Sequence, residues 1–315
     1  MNAFGPTDIA RYRHRVVRDL AWALLSPPLL APNDDGIRWF GPDWCRQVYA
    51  AYRSRLDALD QNPAPLIDHL HARQDRRLGS QFEGLLLYWL ADPANTLYRL
   101  VAHNLPIRAG KLTLGELDFV VRELATGNTQ HWEVAVRFYL ATRPGGAYED
   151  WIGIDPSDRL DLKVGRLRRH QLTMSQTPAG KAALAGLGVA ACSRACLLKG
   201  RLFYPAGAPR DRWIPRDACP QHGQGWWLPA TAFPASFADP GLRWSLLPRE
   251  YRLAPLTPDV QLDAEYSAKE LLEHLPAAID NRPVGVVGRR HGHEEERGFL
   301  TPPHWPSPPQ PKDTP

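Results

Sequence analysis

Cysteine is scarce in this chain, four residues in 315. That number gives no disulfide framework of the kind that staples a small secreted domain, and the thiols are expected to be reduced. An apolar leader is missing too: Met1 to Asp19 carries cations around no hydrophobic stretch, so no secretory signal is expected. The longest weakly polar run, Ala182 to Leu198, is rich in Ala and Gly and broken by Ser193 and Arg194. It is too short and too polar to span a bilayer. No Walker sequence, G-x-S-x-G elbow or G-x-G-x-x-G turn occurs, and Gly145-Gly146 is too isolated to form a phosphate loop. No internal repeat is present. These absences leave a cytoplasmic globular protein with no membrane partner.

What is present suffices for a sizeable core. Hydrophobic residues make up 43% of the chain and charged ones 23%. Basic residues number 38 against 34 acidic, a net charge of +4, with a pI near 8.9. That balance permits nucleic-acid binding without demanding it.

Helical spacing predicts a first helix over Ile9 to Leu25, stopped by Ser26-Pro27-Pro28, and a second from about Asp43 to Leu59. Arg13, Arg15 and Arg18 read as a solvated helix face. Leu78 to Leu90 is apolar nearly all round and reads as a buried helix. Glu83 sits inside it, and a carboxylate there needs a cationic or metal partner unless it lies at an exposed edge. A loop through Asp92, Pro93 and Asn104-Leu105-Pro106 leads on from this helix.

Lys111 to Leu140 then reads as a hairpin. Leu117, Phe119 and Val121 share one face of the first arm; Trp132, Val134, Val136, Phe138 and Leu140 share one face of the second. Glu116, Asp118 and Arg122 take the opposite face, followed by Glu133, Ala135, Arg137 and Tyr139. A loop at Gly127-Asn128 sets Asp118 across from Arg137 and Arg122 across from Glu133. A loop at Thr126-Gly127 sets Asp118 across from Ala135, which leaves Asp118 and Glu133 diagonal neighbours roughly 7–8 Å apart. Both choices keep the acids on one face. Two carboxylates so placed can share Mg²⁺; the alternative is a lattice of ion pairs on a solvated sheet face.

Beyond the hairpin, Asp155-Pro156 predicts a helix start. The helix that follows carries Leu160, Lys163, Val164, Leu167 and Gln171 on one side, and a Lys and a Gln are unusual within an apolar stripe. Arg166, Arg168 and Arg169 read as a solvated basic end. Met174 to Leu198 is predicted helical, followed by short strands at Gly200–Pro205, Gly225–Leu228 and Arg243–Pro248 and a last helix over Ser267 to Leu275. From Asn281 onward no period survives, which predicts a disordered tail over 281–315. His291 and His293 beside Glu294, Glu295 and Glu296 then read as solvated charge. Cys192, Cys196, Cys219 and His222 have spacings that zinc can use, but the first pair lies in a predicted helix, and small buried thiols are the expectation.

Four pieces in order now form a pattern: an acid in a buried helix, Asp118 on a strand, Glu133 on the next, and a helix bearing Lys and Gln. The arrangement resembles the PD-(D/E)XK nuclease superfamily. More closely, the chain resembles an uncharacterised bacterial family, the domain-of-unknown-function family numbered 1853, over roughly Val17 to Leu256. The matching stretches are VRDLAWALLSPPLL, LGSQFEGLLLYWL, TLGELDFVVREL, HWEVAVRFYL, DRLDLKVGRLRRHQL, KGRLFYP and GWWL. The resemblance implies an α/β fold with a restriction-endonuclease-like core, a mixed sheet flanked by helices. That core would occupy 77–175, after a helical N-terminal part over 1–76 and before a small β-rich α+β part over 176–280. It further implies that Asp118 is the acid of the first motif and Glu133 that of the E-x-K motif. With Glu83 they would hold Mg²⁺ or Mn²⁺ for hydrolysis of phosphodiester bonds, in DNA rather than RNA. The motif lysine is missing, since Ala135 stands two residues after Glu133. Lys163, or else Arg137, is the expected stand-in, with Gln171 orienting a phosphate or the water. The alternative is a nucleic-acid-binding or scaffolding module that keeps the fold without turnover.

Overall fold

The computed structural model describes residues 5–31, 36–303, 305 and 306. In chain order its helices are α1 (Pro6–Ala10), α2 (Arg15–Leu25), α3 (Pro42–Gln61), α4 (Ala64–His71), α5 (Leu78–Ala91), α6 (Leu160–Arg166), α7 (Pro178–Ala185), α8 (Phe233–Ser236) and α9 (Ala268–Glu273). Its strands are β1 (Arg38–Trp39), β2 (Tyr98–Ala109), β3 (Leu112–Glu123), β4 (Thr129–Ala141), β5 (Trp151–Ile152), β6 (Ser193–Pro205), β7 (Gly223–Pro229), β8 (Arg243–Leu246), β9 (Val284–Arg290) and β10 (His293–Thr301). Among the described residues no helix is long and apolar enough to cross a membrane. The chain divides into two compact units, the first comprising Met1–Arg137, Lys163–Gly200 and Asp217–His222, the second Phe138–Leu162, Arg201–Arg216 and Gly223–Pro315.

In the first unit helices pack on a mixed sheet. β2, β3 and β4 follow one another antiparallel, and β6 comes next, with β1 parallel on its other side. β2 occupies the stretch expected as a loop. Its Pro106 is tolerated because β2 ends the strand order, where a missing N–H breaks no central ladder. Asn104 has φ 49°, and the pairing with β3 shifts between Leu100 and Ala102. Those irregularities hide the strand's period. α5 and α7 both pack on β2. Between α3, α5 and the sheet, Trp44, Trp89, Tyr98 and Trp132 form an aromatic cluster, and the Trp44 indole N–H donates to the Tyr98 hydroxyl at 2.8 Å.

Several expectations for this unit are corrected. The first helix is two, α1 and α2, and Arg18 is buried rather than solvated. Its Nη1 donates to the carbonyls of Tyr12 and Arg13 at 2.9 and 2.7 Å, tying the break between them. The predicted helix over 174–198 is only α7 and a short preceding turn. Thr177 caps α7 by accepting from the Gly180 amide, Pro178 opens it, and β6 begins at Ser193. Cys196 is therefore a strand residue. Cys45, Cys196 and Cys219 are buried thiols and Cys192 is partly exposed.

The second unit is β-rich. β5 pairs antiparallel with the end of β4; β6, β7 and β10 run parallel in turn, and β10, β9 and β8 antiparallel. Trp226, Phe233, Trp244, Leu271, Val286 and Leu300 fill a core between strands and short helices. α9 carries a full capping box, Ser267 with Glu270. The tail expected to be disordered instead forms the β9–β10 hairpin, turning at His291 and Gly292 with φ 51° and 80°. Residues 307–315 of that expectation lie outside the described ones. The hairpin escapes sequence reading because Glu294, which looks solvated, is buried against Arg297. The helix start expected at Asp155-Pro156 is a turn, closed by Asp158 N–H to Asp155 carbonyl, and α6 starts at Leu160.

Candidate active site

The hairpin of β3 and β4 sets the geometry. Its pairs are Arg122 with Thr129, Val121 with Gln130, Val120 with His131 and Phe119 with Trp132. Neither expected register is adopted. The Glu123 amide donates to the Asn128 carbonyl and the Gly127 amide to the Glu123 carbonyl, closing a four-residue loop, Leu124 to Gly127. Gly127 takes the left-handed position at φ 73°. The pairing thus slides two residues beyond the second expected register. One step past Phe119–Trp132 it brings Asp118 level with Glu133. There the backbone ladder gives way, and the Val134 amide donates to Asp118 Oδ2 at 3.0 Å.

Glu133 is wholly buried, so a solvated ion-pair lattice is ruled out at its position. β4 is an inner strand covered on both faces. The Glu133 carboxylate is held at both oxygens. Gln171 Nε2 donates to Oε2 at 2.6 Å, and His131 Nε2 lies 2.9 Å from Oε1. Burial pushes the His131 imidazole down to about 4, so it is neutral at pH 7. Its Nε2–H then faces the carboxylate, and Nδ1 accepts from the Ser175 hydroxyl at 3.1 Å. Ser175, His131 and Glu133 follow one another as in a hydrolytic triad. All three are closed off from solvent, so the chain of bonds orients Glu133 rather than arming Ser175.

Two acids share this dry ground. Burial, and then the neighbouring Glu133, push the Asp118 carboxyl up to about 7. Burial pushes Glu133 up to about 7 as well, against the pull of Lys163. Lys163 answers the pair. Its Nζ donates to Gln171 Oε1 at 3.2 Å, and burial, then Arg137, drive its pKa down while Glu133 and Asp118 hold it up. Lys163 and Gln171 meet because the helix changes form between them: Leu167–Gln171 is a π turn. An α-helix advances about 100° per residue, leaving positions eight apart about 80° out of line. The wider π turn takes up most of that difference. Arg137 adds charge to the group, while its Nη1 donates to the Val136 carbonyl at 2.9 Å. Ala135, at the place of the motif lysine, is buried on β4.

Glu83 stands next to this group but is held separately. Its Oε1 takes His103 Nε2 at 2.6 Å and Arg73 Nη2 at 3.1 Å, and the His103 ring lies 5.0 Å from Phe119. Its charge still raises Asp118. Among the described residues no group of three or more His, Cys, Asp or Glu is set to hold a metal ion. The three-carboxylate cradle is thus not assembled, because Arg73 and His103 occupy the third acid. The site has two acids, one ammonium, and a carboxamide joining them.

Sequence reasoning brought Asp118, Glu133, Lys163, Arg137 and Gln171 together as the structure does, and missed four partners. His131 was legible: it stands two residues before Glu133, on the same face under a period of two. Ser175 and Arg73 carry no such signal, and His103 was lost with β2. The family model of a domain of unknown function, DUF1853, matches residues 18–301. No curated protein and no solved structure matches.

Proposed function

Starting from the chain's membership of the DUF1853 family, whose description leaves activity open, we propose a Mg²⁺-dependent nuclease of PD-(D/E)XK type, acting on DNA through Asp118, Glu133 and Lys163. The observation that carries the reading is the pair of carboxyls, half-buried Asp118 and buried Glu133, both pushed up to about 7 beside one half-buried ammonium, that of Lys163. Like charges packed in a dry site call for a cation, and perturbed acids of this kind gather where chemistry is done.

The donor set fits a hard divalent ion. Mg²⁺ takes oxygen ligands, commonly one or two carboxylates, and completes its shell with water and substrate phosphate. Asp118 and Glu133 would hold it, and Glu83, bound to Arg73 and His103, would not. When bound, the ion supplies Lewis-acid polarisation of a phosphodiester and eases deprotonation of the attacking water. The chain's own residues do the rest. His131 and Gln171 fix the Glu133 carboxylate from two sides. Lys163 offers an ammonium to charge developing on phosphate oxygens, from a helix rather than from the strand position that Ala135 occupies. Burial, and then Arg137, lower the proton affinity of Lys163, which favours handing a proton to a leaving group.

The second reading, a module without turnover, is favoured by Ala135 itself. Incubation of the full chain with linear, circular and single-stranded DNA and with RNA under Mg²⁺ or Mn²⁺, beside Asp118→Asn, separates the two. Cleavage of DNA lost in the variant supports the nuclease. DNA binding by both proteins with cleavage by neither supports the module.

A further inference from the structure

The β2–β3 hairpin outruns the rest of its sheet. β2 ends the strand order, and among the described residues β4 pairs with β3 only over Phe119–Arg122. Toward the turn the two arms therefore pair with each other alone. The lower part of this ribbon is packed: Ile107 and Leu117 join Met174, Leu184 and Val189 in a core, and a Cβ on Gly115 would stand 2.9 Å from Met174 Cε. Beyond Gly115 the packing ends. Every residue from Arg108 to Leu114 is exposed. The pairing nevertheless holds, Arg108 with Thr113 and Ala109 with Leu112, across a turn of Gly110 and Lys111 in which Gly110 takes φ 59°.

This bare tip is apolar and basic at once. Leu112 is 65% exposed and Leu114 38%, and no large hydrophobic residue among the described ones is more exposed than Leu112. Apolar side chains left open at a sheet edge invite unwanted association, so proteins generally avoid them. Arg108 and Lys111 stand with the leucines, and the stretch 108–114 contains no acid. Glu116, the nearest acid on the ribbon, lies past Gly115, where its charge bears on Glu133. Two such tips would repel each other, whereas a polyanion is attracted.

The ribbon grows out of the candidate site. Asp118 is on the same strand, four residues from Leu114 and six from Leu112, which along a strand is roughly 13–20 Å. On duplex DNA that span is about four to six base pairs. A two-stranded ribbon suits the major groove, about 12 Å wide, and is too broad for the minor groove, about 6 Å. Leu112 shares its face with Ala109, and Arg108 shares the other with Thr113. Entering point-first, the ribbon turns its apolar face to base edges and thymine methyls and its basic face to the phosphate wall.

We propose that the tip of the β2–β3 ribbon enters the major groove of duplex DNA, with Leu112 and Leu114 against the bases and Arg108 and Lys111 on phosphates. The proposal rests on DNA as the substrate of Asp118 and Glu133. It adds the form of that DNA, a duplex, and the place where the chain grips it.

Fluorescence anisotropy of a labelled duplex with the full chain, in EDTA so that nothing is cut, tests it. Joint Leu112→Ser and Leu114→Ser substitution should weaken binding about tenfold. Joint Arg108→Gln and Lys111→Gln substitution should weaken it by a similar factor and reduce the slope of log affinity against log salt by about 2. Lys269→Gln, on α9 in the second unit, should change neither. The substituted side chains are exposed, so every variant should match the wild type in Tm. Methyl green, which lies in the major groove, should displace the protein, and netropsin, which lies in the minor groove, should not. Equal binding by wild type and both tip variants, with one salt slope, would overturn the ribbon's role and leave DNA standing as substrate. Displacement by netropsin alone would overturn the groove. A dimer in sedimentation, broken by the leucine substitutions while DNA binding persists, would assign the tip to a second copy instead. Absence of duplex binding by the wild type would overturn the proposal, while cleavage under Mg²⁺ judges the acids separately. Duplex binding that depends on the tip, with no cleavage, would uphold the ribbon and end the nuclease reading.

Discussion

Gln171 hands its amide N–H to Glu133 at 2.6 Å and takes the Lys163 ammonium on its carbonyl at 3.2 Å. One carboxamide therefore sets the distance between the acid and the cation. Removing it leaves Glu133 to His131 and Asp118 and takes away the Lys163 anchor. Gln171→Ala is expected to lower kcat on DNA by about 10–100-fold, as loss of an outer partner of a metal ligand does, with a smaller change in KM. Steady-state kinetics check this.

Asp118→Asn should separate stability from activity. Burial and Glu133 disfavour the charged form of Asp118, so an amide of the same shape relieves a repulsion that a cation would otherwise relieve. The variant is expected to melt a few degrees higher than the wild type in EDTA at pH 8, by about 1–2 kcal/mol, and to lose cleavage. Added Mg²⁺ should stabilise the wild type and leave the variant unchanged. A variant that melts lower in EDTA would contradict the repulsion.

Lys163→Met is expected to reduce cleavage by about 10²–10³-fold, the usual cost of removing a charge aimed at a transition state. Lys163→Arg should recover little, because a planar fork does not fit the place of a small ammonium held by Gln171 and cannot release a proton. Melting curves of both variants would show whether the fold survives.

Asp92 gives a pH dependence far from the acids of β3 and β4. Burial raises its pKa, but hydrogen bonds from Tyr52 at 2.6 Å, the Ala94 amide at 2.8 Å and Arg55 at 2.9 Å outweigh it, and the net shift is downward. A depressed folded pKa means stability that is present in full above the ordinary aspartate value of about 4 and is lost as pH falls through the folded value. Wild type and Asp92→Asn should therefore differ in Tm at pH 7 and converge once pH has fallen through the folded-state value, below the ordinary aspartate range. Melting curves across that window test the sign.

Much of the site could be read in the letters, and the failures have physical causes. Period two placed Asp118 and Glu133 on one face, since no even slip of register can part them. The register itself was illegible, because Gly127-Asn128 invites a two-residue loop and the chain uses four, Asn128 pairing with Glu123. Lys163 and Gln171 stood out as polar residues in an apolar stripe, whereas the π turn that aligns them leaves no mark on composition. Pro106 and Asn104 disguised β2, an edge strand that tolerates both. The charges of 294–297 concealed β10, because a buried ion pair and a solvated run look alike until the partners are seen to face each other.

A π turn amounts to an α-helix with one residue to spare. Deleting a single amino acid between Leu167 and His170 would let the helix close normally, leaving Lys163 and the glutamine seven positions apart and about 20° out of line, still on one face. Deleting two would set them six apart and about 120° out of line. On most surface helices such a loss is absorbed by the next loop; here the helix's length acts as a ruler with one notch to spare, and the second notch unhooks acid from base with every named side chain still in place.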